Sequence, residues 1–263
     1  MSLRRTLAGA IVLALAGAAA APAWAQRKVP DGAKALLLAG GQREHHGYRD
    51  QAFYLANLLE DTRRFQVTLV EDAAILETPA MAKYDLILVT ADRRDAEFKF
   101  TEGQQRALLD WVKAGHGMVT IHGGDCAAPD WLPEWKPMLG GIYSHVGKPD
   151  GRAITGTYTV RIADRASPVA RGLDDFELKD ELYINMQMLD DVKPLATIDY
   201  KGTTWPVAWT WQYGMARVFH TSLGHRGFGP GKDDPLRDPN LQKLILQGIE
   251  WVAEGSHPSG PAR

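Results

Sequence analysis

Eight histidines and a single cysteine stand in a chain of 263 residues, and that asymmetry decides which chemistry to look for. Neutral imidazole nitrogens with a carboxylate suit zinc or a similar divalent metal. One thiol excludes both an intrachain disulfide and a four-thiolate zinc site. His45 and His46 follow the apolar run 35–38, and His122 follows the run 118–121. His145 lies beyond Gly140-Gly141, while His220 and His225 sit at and beyond the end of residues 215–221. A lone histidine at such a place is more often a hydrogen-bonded structural residue than a ligand. Together with Asp180 and Glu181 the set becomes a candidate site, but no HExxH spacing is present, so its members can meet only through the fold.

Other motifs carry less. Gly124-Asp125-Cys126-Ala127-Ala128 matches a nucleophile elbow superficially, yet Cys126 falls four residues past the strand it would have to end. His122 occupies the elbow position, which leaves Cys126 as a small packed residue. His220-Thr221-Ser222-Leu223-Gly224 lacks the first glycine of G-x-S-x-G, and the glycine-rich residues 227–232 lack the context of a phosphate loop, so no nucleotide is expected. Trp131, Trp135, Trp205, Trp209 and Trp211 offer indole faces on which sugars stack, although core packing is the better reading for most of them. The charges at Arg93 and Arg94 read as a solvated loop.

The elements that must position these residues alternate along the chain. Residues 35–38 are a continuous apolar run ending in Gly40-Gly41, the pattern of a strand buried on both faces, and 65–70, 86–89 and 118–121 read as further strands. Between them, Ala52, Phe53, Ala56 and Leu59 recur at helical spacing, and Thr101 with Gln104 forms a capping box ahead of Leu108, Leu109 and Val112. Gly115 ends that helix as its C′ residue. The series predicts an α/β fold, a three-layer α/β/α sandwich around a mostly parallel sheet. Ligands of such sheets bind at the carboxyl ends of the strands, where the histidines fall. Residues 155–162 and 206–211 alternate with period two and, with 215–221, predict antiparallel additions to the sheet's edge, or a β-rich insertion, in the C-terminal half. A last helix begins at Asp238-Pro239 and carries Leu241, Leu244, Ile245, Gly248, Ile249 and Val252 on one face.

Arg4-Arg5, the apolar residues 7–21 and Ala23-Trp24-Ala25 predict a signal peptide cleaved after Ala25 and a periplasmic or secreted product. About 15 apolar residues are too few for a membrane span, so no stable insertion is expected. Residues 26–255 then form one domain and 256–263 a flexible tail. With 30 basic against 32 acidic residues, net charge −2, the chain lacks the basic surplus a nucleic-acid binder needs. A hydrophobic content of 45% supports a full core.

The mature chain resembles the ThuA-like (trehalose-utilisation) family, related to the class I glutamine amidotransferase-like, flavodoxin-like fold. The resemblance rests on residues 36–46, on 117–124 ending in Ile121-His122-Gly123-Gly124, and on Ser167-Pro168 with Arg171-Gly172-Leu173. It continues through Asp180-Glu181-Leu182-Tyr183, Pro206-Val207-Ala208-Trp209, Tyr213-Gly214, residues 217–225 and Ile249-Glu250-Trp251. It implies a role in disaccharide or 3-keto-glycoside metabolism, with a small sugar as partner. Where an amidotransferase has Ile-Cys-x-Gly, this chain has His122, so glutaminase activity is not implied. The expectation is a metal-assisted glycoside-processing lyase or hydrolase, with Glu181, His122 and Asp180 as catalytic residues and His46, His122 and His225 as metal ligands. His145, Tyr183 and Trp209 would bind the sugar. The alternative is a non-catalytic sugar-binding protein on a degenerate amidotransferase-like fold.

Overall fold

A computed structural model describes residues 32–41, 46–94, 97–143, 153–227 and 234–256. The expected signal peptide, His45, His145 and residues 257–263 of the expected tail lie outside them.

The chain runs through β1 (Ala33–Leu38), α1 (Tyr48–Asp61), β2 (Phe65–Val70), β3 (Leu86–Val89), α2 (Glu102–Lys113) and β4 (Gly117–Ile121). It continues with α3 (Trp135–Leu139), β5 (Gly141–Tyr143), β6 (Ala153–Ile162), β7 (Phe176–Tyr183), β8 (Met186–Met188) and β9 (Pro194–Tyr200). It ends with β10 (Thr203–Tyr213), β11 (Ala216–Thr221) and α4 (Pro239–Gly255). Nine strands form one sheet in the order β2-β1-β3-β4-β11-β10-β9-β6-β7, and β5 pairs with β8 in a separate ribbon. The first five strands of that order are parallel and the later pairings antiparallel.

Period-two alternation splits the apolar strands between two cores. Leu37, Val119, Ile121 and Phe219 face α1 and α4. Leu36, Leu38, Ile87, Met118 and Val218 face α2 and α3. A sheet covered on both faces needs strands apolar at every position, which is why β3 and β4 are buried throughout. The capping box at Thr101 and Gln104 is closed in both directions, and Asp238 caps α4 by accepting from the Asn240 and Leu241 amides. Each such cap is worth about 1 kcal/mol. Gly248 lets α4 approach β11 closely, since a Cβ there would lie 2.5 Å from the Phe219 ring.

One expectation needs correction. β11 pairs antiparallel with β10, but it is an interior strand and no edge addition, parallel on its other side to β4 with His220 opposite Thr120. All six of its residues are buried. The run Ala-Arg-Val-Phe-His-Thr is half polar, so its composition does not announce a strand covered on both faces. β11 thereby joins the carboxyl edge formed by β1, β3 and β4, and its following loop reaches the same place as theirs.

Candidate metal centre

Three loops and one strand deliver four side chains to a single point. His46 follows β1, His122 follows β4, and His225 lies in the loop beyond β11. Glu181 comes from β7, which pairs with β6 over residues 153–160 while β6 holds the sheet only through Arg161 and Ile162. The free end of that hairpin reaches the carboxyl edge. One ligand atom from each of His46, His122, Glu181 and His225 lies within 4.8 Å of all the others.

His122 is the hub. It turns the chain sharply after β4 with φ +51°, a left-handed conformation that only a well-supported non-glycine residue holds. Its ring is fully buried, and Nδ1 lies 2.8 Å from the Ser222 carbonyl. A ring nitrogen facing a carbonyl must carry a proton, so Nε2 is the atom turned to the cluster, and it offers a lone pair there when the ring holds only that one proton. Around that atom stand His46 Nε2 at 3.1 Å, His225 Nδ1 at 3.2 Å, the Tyr183 hydroxyl at 2.9 Å and Glu181 Oε2 at 3.4 Å. Glu181 Oε2 is also 3.1 Å from His225 Nδ1.

Nε2 can accept one hydrogen bond, and the Tyr183 hydroxyl suffices for it. The remaining imidazole and carboxylate atoms then bring lone pairs together, an arrangement that needs positive charge between them. Protons supply part of it: burial alone would raise the Glu181 carboxyl, but where His122 and His225 carry a second proton their hydrogen bonds and charge hold it well below the usual range. Burial lowers His225, and Glu181 more than reverses this, leaving its pKa raised. A divalent cation would be another source. Zinc ligands about 2.0–2.1 Å from the ion stand roughly 3.3 Å apart in a tetrahedron; His122 Nε2 lies 3.1–3.4 Å from the other three donors, and all four lie within 4.8 Å of one another, so the imidazoles approach three corners of such a site with Glu181 beside them. The donor set fits such an ion.

The surroundings fix these side chains. Alternation along β7 turns Asp180 to the same side as Phe176, Leu178 and Leu182, where it accepts hydrogen bonds from the backbone N–H groups of Glu181, Gly224 and His225. Burial pushes its pKa up to about 6, against the pull of His122 and those donors. The Gly47 amide donates to the Arg226 carbonyl at 2.9 Å, tying the His46 segment to the His225 segment. Tyr48 stacks on His46 with ring centroids 4.8 Å apart.

The sequence profile of the family described as ThuA, trehalose utilisation, matches residues 34–252. The chain belongs to the ThuA family. Among solved structures it is similar to a ThuA-like protein from Parabacteroides merdae, at 26% identity and TM-score 0.70, covering 88% of this chain and 93% of that one. A ThuA-like protein from Bacteroides uniformis shares the fold at 17% identity and TM-score 0.65, with coverage of 86% and 92%. A cytoplasmic protein of Salmonella typhimurium shares it at 14% identity and TM-score 0.58, with coverage of 84% and 98%. No curated protein matches the chain.

Within this ThuA-family chain the expected ligands His46, His122 and His225 come together, and Glu181 joins them. Asp180 and Glu181 stand in strand β7, and Asp180 reaches the cluster through the backbone it holds. Tyr183 bonds to His122 from a buried position and stacks on Tyr143 at 4.2 Å. Trp209 offers no face to a sugar: it is 0% exposed, its indole N–H bonds to the Leu139 carbonyl, and its ring lies 4.1 Å from His220. Trp131 and Trp135 pack edge to face in the second core. Cys126 is buried, and burial pushes its thiol far above the usual range.

Arg93 and Arg94 are not a solvated loop. Arg93 is 2% exposed and donates to the Ala39 and Glu71 carbonyls, fastening the ends of β1 and β2. Arg94 grips both oxygens of Asp92. Buried carbonyls at two strand ends need donors, and the guanidinium fork supplies several at once. Sequence reasoning missed Tyr48 and the Ser222 carbonyl. The first was visible only as a position two residues past His46, and a backbone acceptor leaves no signal in residue type.

Proposed function

We propose that this ThuA-family protein is an exported, metal-assisted enzyme of carbohydrate metabolism that cleaves glycosides oxidised at C3. The observation that carries the reading is the crowding of His46, His225 and Glu181 around the one lone pair of His122. His46, His122 and His225 would hold a divalent cation such as zinc. Such an ion supplies Lewis acidity, polarising a ketone oxygen and stabilising negative charge that develops on it.

A C3 ketone acidifies the proton on C2, because the electron pair left behind is delocalised onto the ketone oxygen. Glu181 is ionised and partly open, with 18% of its side chain exposed, so it can accept that proton. The electron pair then returns to form the C1–C2 double bond and expels the C1 substituent, which takes up a proton as it leaves. Water added across the new double bond would convert this lyase step into net hydrolysis. Asp180 acts through the backbone of Gly224 and His225, holding the His225 ring in place. His122, at the position where an amidotransferase carries its cysteine, has no part as an acyl nucleophile.

Export rests on Arg4-Arg5, the apolar residues 7–21 and Ala23-Trp24-Ala25. Intact mass of the exported protein should start at Gln26. Among the described residues no helix is long and apolar enough to cross a membrane. For the reaction, the purified protein is incubated with 3-keto-trehalose and with trehalose, with and without chelator. Consumption of the keto sugar alone, lost on chelation and in Glu181→Gln, is the expected result. If neither sugar is consumed, the protein is a sugar-binding member of its fold and the enzymatic reading is wrong.

A further inference from the structure

A cavity of about 280 Å³ opens beside the histidine cluster, and His46 stands in its wall. Gly41, Arg49, Asp50, Glu71 and Phe98 contribute the rest of the lining that bears on a ligand. Gly41 has φ +114°, and a Cβ there would come within 2.6 Å of the Asp92 carbonyl, so bare backbone forms that side. Arg49 is bound through two nitrogens to the two carboxylate oxygens of Glu71, and the charges of that pair cancel. Asp50, in the first turn of α1, adds a second carboxylate, and among the described residues of the wall Arg49 and the His46 imidazole are the groups that can carry positive charge.

We propose that this cavity binds one neutral hexopyranose ring and excludes phosphorylated and uronic sugars, leaving the second ring or aglycone outside. The inference rests on the reading above that the ligand is a sugar. Three features argue for it. The volume falls just below the usual range of ligand sites, roughly 300 to 1,000 Å³, and suits one ring better than two. Vicinal hydroxyls of a pyranose are donors, and hydrogen bonds to the Asp50 carboxylate would be charge-assisted. Phe98 gives the C–H face of a ring an apolar wall. An anionic sugar meets the reverse: Arg49 is already engaged by Glu71, and the surplus charge at Asp50 repels it.

The position of His46 follows naturally. A ring held here lies against a member of the cluster, and whatever its C1 carries points to solvent. The pocket therefore reads the ring and is indifferent to the group that leaves.

The test is equilibrium binding to the full mature protein supplied with zinc, using glucose, methyl glucoside, trehalose, glucose 6-phosphate and glucuronate. The three neutral ligands should bind within about tenfold of one another, and the two anions at least about tenfold more weakly. Asp50→Lys, a surface change that leaves the core untouched, should close or reverse that gap. Phe98→Ala should weaken the neutral ligands by several-fold to about tenfold. Trehalose binding without either one-ring ligand, anions binding as well as neutral sugars, or no sugar binding at all would each overturn the proposal. These ligands are not oxidised and nothing is turned over, so failure of the keto-sugar assay leaves this result standing. Turnover of keto sugar without binding here would instead place the substrate elsewhere and sink only this inference.

Discussion

Glu181 lies 3.4 Å from His122 and 3.1 Å from His225, and Asp125 lies 3.4 Å from His220, yet these carboxylate–imidazole sets meet opposite conditions. Both stand where β4 and β11 end. Asp125 and His220 are fully sealed; burial drives the Asp125 carboxyl up and the His220 imidazole down, so both favour their neutral forms. His220 Nδ1 meets the Thr120 hydroxyl at 2.7 Å, Trp209 covers the ring, and Nε2 makes no hydrogen bond. Around Glu181 the charges persist, because several imidazoles share one carboxylate and the cluster opens on a cavity through His46. A histidine beside a carboxylate is thus not itself a site. Surplus lone pairs and access to ligand separate the working set from the structural one.

The largest expected difference is in metal affinity. His122→Ala removes the hub and should abolish measurable zinc binding, a loss of a hundredfold or more. His220→Gln should lower the melting temperature through the disturbed core while zinc affinity stays within about threefold. Isothermal titration beside thermal denaturation reads both. Equal losses of affinity would erase the distinction.

Next in size is Asp180→Asn. An amide cannot accept the hydrogen bonds of Glu181, Gly224 and His225 together, so the His225 backbone loosens. Outer-shell changes of this kind typically cost about 10–100-fold in metal affinity, and the loss should fall in that range with the fold retained by circular dichroism.

pH sharpens the contrast further. The folded pKa of His225 is raised above 6.5, so its ion pair with Glu181 stabilises the metal-free protein below that value and fades as pH rises through the folded pKa. Glu181 is depressed, and its share is present above about pH 4.5 and lost as pH falls below it. Proton and cation compete for His225, so the thermal shift produced by zinc should grow from pH 6 to pH 8. The His220 ring, followed by nitrogen-15 NMR, should stay neutral across the same range. A flat zinc shift or a titrating His220 would break the comparison.

The smallest effect is expected at Cys126. Cys126→Ala should keep most of the turnover of any substrate found, because the thiol is buried and His122 holds the elbow. A loss on the order of a thousandfold, with the fold intact, would restore a nucleophile there.

The fold was legible where burial dictates composition. The continuous apolar runs of β1, β3 and β4 mark strands covered on both faces, and Thr101 with Gln104 marks a helix start by local hydrogen bonding alone. β11 was legible as a strand but misplaced, because its Gly214 turn with β10 suggests only a hairpin, and hairpin chemistry does not say what lies on the other side. The ligands His46, His122 and His225 were legible by their places at strand ends. The β6–β7 hairpin was not legible as the carrier of Glu181: its reach depends on a short pairing with β9 that no residue type announces. Trp209 and Arg93 misled for a related reason, since aromatic and charged residues on a buried strand or turn look the same in sequence as exposed ones.

The most direct test is the metal content of the protein purified from its native compartment or loaded with zinc and dialysed. The account predicts about one divalent ion per wild-type chain and none in His122→Ala. Cobalt(II) in place of zinc should give the intense visible absorption of a four-coordinate nitrogen and oxygen site. Wild-type protein that holds no ion after loading, or a His122→Ala variant that holds as much as wild type, would contradict it.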